Sequence, residues 1–238
     1  RWATSTRSAP TARAALKPTP ARTTAPAPTR LSRQIQTILS PGSAPISTSR
    51  TFPVLPLSLA AAIWALYNTA LAMVFGFGPL LLTEQGLAST VASSVIGLFT
   101  LMVGLVVPIA GMVSDRIGRD PVILFSLAAS AVFLPVLVTL PPSVAMLAYA
   151  IAGLVMGFAA GPIMTMPAHI LPSEARAFGM GVFFAVYYAV MMVGPAIGGA
   201  LADRANTTSA AFYFGSGILV ACIASLWLFR RSVSIDPD

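Results

Sequence analysis

The sequence predicts an all-α integral membrane protein of six transmembrane helices. Three observations carry that expectation. The 238 residues are 56% hydrophobic and only 9% charged, against roughly 25% charged in an ordinary soluble domain. From Leu57 onward six apolar stretches follow one another, each near the ~20 residues that cross a bilayer. After position 50, every Asp, Glu, Lys and Arg falls at or beyond the end of one of those stretches. A chain this apolar has too little polar surface for water. Helices are the natural spanning element because they satisfy their own backbone hydrogen bonds.

Residues 1–50 stand apart. Eight of the fourteen basic residues lie there, no acid occurs before Glu84, and Ala, Pro, Ser and Thr dominate. Such a composition cannot bury a core and reads as a disordered basic tail. Three origins fit it: a flexible cytoplasmic tail or linker, an organelle transit peptide, or a start that is not the natural one, since the chain begins with Arg. Only Leu31 to Leu39 has the makings of a short helix. Nucleic-acid binding is the weakest reading and no nucleic-acid partner is expected, because the positive charges are dispersed and carry no fold.

The expected spans are 57–82, 90–112, 121–141, 143–170, 176–202 and 209–229. Together they form one bundle over residues 57–231, followed by a short tail at 232–238. Connections are short, which makes sequential helices antiparallel neighbours. Even-numbered loops then share one side with both termini. That side holds Arg116, Arg119, Arg176, Arg230 and Arg231 besides the basic tail; the other holds Arg204, Glu84 and Asp203. The positive-inside rule makes the first side cytoplasmic, in a plasma or inner membrane. Gly76-Phe77-Gly78-Pro79, Pro108, Pro135, Gly161-Pro162, Pro167 and Gly194-Pro195 are expected to interrupt the spans and curve them around a cavity or a moving interface.

One cysteine, Cys222, excludes an internal disulfide, and one histidine, His169, argues against a His-based metal site. No cofactor is expected. No paired carboxylates, His cluster or Ser/His/Asp set lies at span depth, so a membrane-embedded enzyme is not expected either.

Between the second and third spans the chain reads Gly111-Met112-Val113-Ser114-Asp115-Arg116-Ile117-Gly118-Arg119-Asp120. Four charges within six positions cannot rest in hydrocarbon, so residues 113–120 form a charged turn. The pattern Gly111-x-x-x-Asp115-Arg116-x-Gly118-Arg119 resembles the cytoplasmic loop signature of the major facilitator superfamily, found between the second and third helices of each six-helix half. In that spacing Gly111 lets two helices approach, Gly118 permits a sharp turn and Asp115 caps a neighbouring helix. The match departs at Asp120, where the family usually has a second basic residue, and at Val113, where Leu is common. Gly181 and Gly194-Pro195-Ala196-Ile197-Gly198-Gly199 resemble the family's fifth-helix glycine-proline signature. Here they are read as serving close helix packing rather than antiport. Ile63-Trp64-Ala65-Leu66-Tyr67-Asn68 and Leu171-Pro172-Ser173-Glu174-Ala175-Arg176-Ala177-Phe178-Gly179-Met180-Gly181 resemble second-half sequences of bacterial-type facilitator permeases.

The resemblance implies the C-terminal half of a twelve-helix transporter that works by alternating access, with the first and fourth spans lining the solute pathway. Its partners would be the lipid bilayer, a small-molecule substrate, and a missing six-helix half or a second copy. On the first span, Trp64, Tyr67, Asn68, Leu71 and Phe75 share one helical face. Trp64, Tyr67 and Asn68, with Tyr149 and Met164 of the fourth span, are the expected substrate-lining residues. Gly153, Gly157 and Gly161 serve either helix movement or tight packing. Gly111, Asp115, Arg116, Gly118 and Arg119 are the expected gating loop. His169, Tyr187, Tyr188, Glu174 and Arg176 are weaker candidates. With no carboxylate inside the spans, a neutral or weakly polar solute fits best. The competing expectation is a truncated six-helix protein that does not transport.

Overall fold

The computed structural model describes residues 53–234. The expectations for the basic tail, its short helix and the last four residues lie outside that range. Among the described residues there are seven α-helices, two 3-10 turns and no strand. The first three spans are α1 (Val54–Glu84), α2 (Ser89–Ile117) and α3 (Arg119–Thr139). The fourth is divided between α4 (Ala145–Met164), which follows a 3-10 turn at Pro142–Val144, and the short α5 (Met166–Ile170). After a second 3-10 turn at Ser173–Ala175 come α6 (Arg176–Ala205) and α7 (Ser209–Ser234), the fifth and sixth spans. Six helical segments are long and apolar enough to cross a membrane.

The helices run further than the hydrophobic stretches alone. The charged turn predicted over 113–120 shrinks to Gly118, which sits between the last residue of α2 and the first of α3. Ser114, Asp115 and Arg116 complete the last turns of α2, because a polar sequence beyond the hydrocarbon edge can still close helical hydrogen bonds. Gly118 reverses the chain at φ 95° and ψ 151°, and its N–H donates to the Ser114 carbonyl at 3.0 Å. That backbone region belongs essentially to glycine.

The prolines do not interrupt the helices as expected. α1, α2, α3 and α6 continue through Pro79, Pro108, Pro135 and Pro195. Only the fourth span is divided, at Thr165 between Pro162 and Pro167. Leaving the helix in an apolar surround would orphan several backbone groups, whereas a proline removes one donor. Side-chain hydroxyls add bonds to backbone near two of the prolines: Thr83 donates to the Pro79 carbonyl at 3.0 Å and Thr165 to the Pro162 carbonyl at 2.9 Å.

Within the bundle α4 lies between α2 and α3, α7 lies between α1 and α3, and α6 packs chiefly on α1. Close approach depends on glycine at two seams. A Cβ at Gly153 would stand 2.5 Å from the Phe99 carbonyl oxygen, and one at Gly157 would stand 2.3 Å from Val106 Cγ1 and 2.9 Å from the Val103 carbonyl oxygen. These residues seat α4 against α2. At the other seam, a Cβ at Gly194 would meet Thr69 Cγ2 at 2.3 Å, and one at Gly198 would meet Met73 Sδ at 2.5 Å. The fifth-span glycine-proline motif therefore packs α6 against α1.

Polar side chains tie the helices across these seams. Ser126 of α3 donates to the Val155 carbonyl of α4 at 2.6 Å, and Ser216 of α7 donates to the Ala131 carbonyl of α3 at 2.5 Å. The buried Cys222 thiol donates to the Ile63 carbonyl at 3.4 Å. At the end of α1, Glu84 accepts from the Thr208 hydroxyl and from the Thr208 N–H at 3.4 Å, at the start of α7. Gln85 beside it donates to the Val138 carbonyl near the end of α3 at 3.1 Å. One end of α1 thus holds the ends of two other spans.

Candidate functional site

The residues expected to share one face of α1 divide between two environments. At about 100° per residue, Tyr67 and Asn68 stand on opposite edges of that face. Tyr67 turns into the bundle: it is 2% exposed, and its hydroxyl donates to the Met156 carbonyl of α4 at 3.0 Å. The same carbonyl accepts from Ser126 at 3.3 Å, so α1, α3 and α4 meet at one backbone oxygen. Leu71 is buried as well. Asn68 and Trp64 are half-buried. The Asn68 amide donates one N–H to the Trp64 carbonyl one turn earlier at 2.8 Å, which leaves its second N–H and its carbonyl oxygen for another partner. Phe75 is 39% exposed and packs edge-on against Phe99 at 5.5 Å between centroids.

In the fourth span, Tyr149 is buried at 1% exposure. Its ring lies against α1, where a Cβ at Gly78 would come within 3.7 Å of it, and its hydroxyl has no hydrogen-bond partner among the described residues. Met164, at the end of α4, is exposed, as is His169 in α5. Of the glycines of this span, Gly153 and Gly157 are required for close packing, whereas a Cβ at Gly161 would meet the Val107 carbonyl oxygen at an ordinary contact distance of 3.5 Å.

α6 completes the open side. Only 11% of its apolar window is buried, against 61% for α1. Trp64 of α1 meets Tyr187 of α6 at 6.1 Å between ring centroids and Tyr67 at 5.9 Å. Tyr187 continues to Tyr188 at 4.8 Å and to Phe184 at 6.3 Å, and Phe184 stacks on Tyr188 at 6.3 Å. Tyr188 is 65% exposed. The sequence pointed to Tyr187 and Tyr188; it did not point to Phe184, which reaches them one turn earlier on α6.

At the charged turn, Gly118 has the backbone its position demands, and Asp115 and Arg116 are exposed. Two expectations fail among the described residues. No atom comes within 4 Å of a Cβ built at Gly111, and Asp115 caps no helix among the described residues; the start of α3 carries no side-chain cap. The acid at 120 finds a different use. Asp120 pairs with Arg230 at 3.0 Å, joining the start of α3 to the end of α7. The departure from the basic residue usual at this place was the sequence signal for that pair. Beside it, Arg231 lies over the Trp227 ring at 3.4 Å. In the following turn the Ser173 hydroxyl donates to Glu174 at 2.7 Å. No group of His, Cys, Asp and Glu among the described residues has the arrangement to hold a metal ion.

Comparison with known proteins bears on this arrangement directly. The sequence profile of the Major Facilitator Superfamily matches residues 52–237, the whole of the helical bundle. The chain belongs to the Major Facilitator Superfamily. It is also similar to the class G tetracycline resistance protein of Vibrio anguillarum, 31% identical over 171 residues, which cover 69% of this chain and 44% of that protein. A second relative is the class C tetracycline resistance protein of Escherichia coli, 31% identical over 130 residues, 53% of this chain and 33% of that protein. The chain thus matches less than half the length of these curated relatives. Family membership and six apolar helices make it a multi-pass integral membrane protein of a transporter superfamily.

Proposed function

We propose that this chain is the C-terminal six-helix half of a transporter that moves a small neutral or weakly polar solute by alternating access. The other six helices would come from the rest of a longer chain, from a partner, or from a second copy. Both termini would be cytoplasmic, following the excess of Arg on that side. The observation that carries the proposal is the open side of α1 and α6. Asn68, half-buried on α1, and Tyr187 and Tyr188, on α6, the least buried span, bring amide and hydroxyl groups to mid-span. A hydroxyl facing hydrocarbon without a partner is costly, so such a wall suits water, solute or a second half better than lipid.

In this reading Trp64, Asn68 and Met164 touch the pathway. Tyr67 and Tyr149 stand behind them and hold α1 and α4 in place. Gly118 sets the turn that presents Asp115, Arg116, Arg119 and Gly111 toward the missing half as part of a cytoplasmic gate. Carboxylates stand only at the ends of the spans, so a proton-carrying residue at mid-membrane, if transport is proton-driven, belongs to the other half.

The named relatives supply a first probe, tetracycline. The test is uptake of labelled tetracycline into proteoliposomes holding this chain, alone and with a complementary six-helix half. Asn68→Leu should lower transport while leaving expression unchanged. Unchanged apparent affinity in that variant would remove Asn68 from the pathway. Failure of the chain to associate with any second six-helix unit, by cross-linking in the membrane, would favour a non-transporting six-helix protein.

A further inference from the structure

We infer that Trp64, Phe184, Tyr187 and Tyr188 form an aromatic subsite on the α1–α6 wall that takes a planar, uncharged aromatic solute. The four rings are continuous: Trp64 to Tyr187 at 6.1 Å, Tyr187 to Tyr188 at 4.8 Å, and Phe184 to both tyrosines at 6.3 Å. Trp64 lies ten residues into α1 and Tyr187 eleven into α6, on helices that start from the same side of the bundle. At 1.5 Å per residue both stand about 15 Å from the starts of helices roughly 45 Å long, which places them inside a ~30 Å hydrocarbon layer centred on those helices.

That depth is the unusual feature. Tyrosine ordinarily keeps its hydroxyl at the membrane–water boundary. Here two adjacent tyrosines sit well inside, Tyr188 is 65% exposed, and neither hydroxyl has a hydrogen-bond partner among the described residues. Phe183, by contrast, turns inward, is fully buried and packs edge-on against Phe184 at 5.3 Å. Between Phe183 and Tyr188, α6 therefore sorts its four aromatic side chains: Phe183 anchors the helix, and Phe184, Tyr187 and Tyr188 are held toward the open side.

The chemistry of the ligand follows from the groups present. Ring faces recognise other rings through offset or edge contacts. The Asn68 carbonyl oxygen and the tyrosine hydroxyls offer neutral hydrogen bonds to an edge substituent. No Asp, Glu, Lys or Arg lies at this depth in any span. A full charge on the solute would meet no partner, which favours an uncharged ring system over an organic cation.

The inference rests on the transporter reading for its statement that this wall faces a solute pathway, so binding is measured without transport. The probe is labelled 2-naphthol, with its saturated counterpart decahydro-2-naphthol as the non-planar comparison. The purified chain in lipid nanodiscs is titrated, and binding to empty nanodiscs is subtracted. Tyr187→Ala and the exposed Tyr188→Ala should each weaken 2-naphthol binding about five- to tenfold, the size of one ring contact. Tyr187→Phe should stay within about threefold of the parent because the ring remains. Tyr213→Ala, an exposed tyrosine on α7, should change nothing. Decahydro-2-naphthol should not distinguish the parent from any variant. Equal 2-naphthol binding by the parent and both alanine variants overturns the subsite. So does equal sensitivity of the saturated probe. Binding that depends on the rings without any transport would leave the subsite standing and count against the transporter reading instead.

Discussion

Gly157→Ala adds one methyl group to the α2–α4 seam, and the structure says what it strikes. The new Cβ would stand 2.3 Å from Val106 Cγ1, 2.9 Å from the Val103 carbonyl oxygen and 3.0 Å from Val103 Cα. The valine methyl can rotate away. The two Val103 atoms are backbone and can retreat only if α2 and α4 separate, which loosens the most extensive helix pairing in the bundle. Overpacking of this kind costs about 1–3 kcal/mol. Ordinary helix propensity acts in the opposite sense, since Ala is favoured over Gly by about 0.5–1 kcal/mol. Gly104→Ala isolates that second effect, because nothing lies within 4 Å of a Cβ there. The assay is thermal stability of purified protein in one detergent, read by loss of the monodisperse peak after heating. At about 2–4 °C per kcal/mol for a protein of this size, Gly157→Ala should lose several degrees while Gly104→Ala holds or gains. Equal midpoints for the two variants would refute the claim that glycine is required for the α2–α4 approach.

Further outcomes follow from single contacts. Gly118→Ala forces an L side chain into a glycine conformation and should cost about 1–3 kcal/mol in the same heating assay. Ser126→Ala removes the bond from α3 to the Val155 carbonyl; inter-helix bonds in membranes average about 0.6 kcal/mol, so a loss of only a degree or two is expected. Glu84→Ala uncovers the start of α7 and should cost about 0.5–2 kcal/mol, in the range of a lost helix cap. Asp120→Asn should change stability by less than about 1 kcal/mol, because both members of its pair with Arg230 are well exposed. Single cysteines at Glu84 and Asp115, placed in a Cys222→Ala background, should label from opposite sides of the membrane, since α2 carries about 40 Å of helix between them.

Much of the architecture was legible because a bilayer imposes a severe filter on sequence. Hydrocarbon rejects charge and unpaired backbone, so the apolar stretches and the positions of Glu84, Arg116, Asp203 and Arg230 marked out six rods and their ends. Gly194 and Gly198 of α6 were read correctly as packing residues, because only small residues let helix backbones meet, whereas Gly181 of the same motif has nothing within 4 Å of its Cβ position. The helix ends were less legible: Asp115 and Arg116 looked like a loop yet finish α2, since polarity reports depth and not backbone geometry. Pro79, Pro108, Pro135 and Pro195 looked like interruptions, but continuing a helix costs less in an apolar surround than ending it.

Periodicity placed Tyr67 and Asn68 on one face of α1 and stopped there. Which neighbour each edge of that face meets depends on how α4 and α6 pack beside it, and nothing local to the sequence encodes that. By itself the sequence determined the membrane as solvent, the number of spans and the residues excluded from them, because those follow from transfer free energies of individual side chains. Only the tertiary structure decided that Tyr67 binds the Met156 carbonyl, that Asp120 answers Arg230, and that Trp64 joins the tyrosines of α6. Those are relations between helices distant in the chain, fixed by packing in three dimensions.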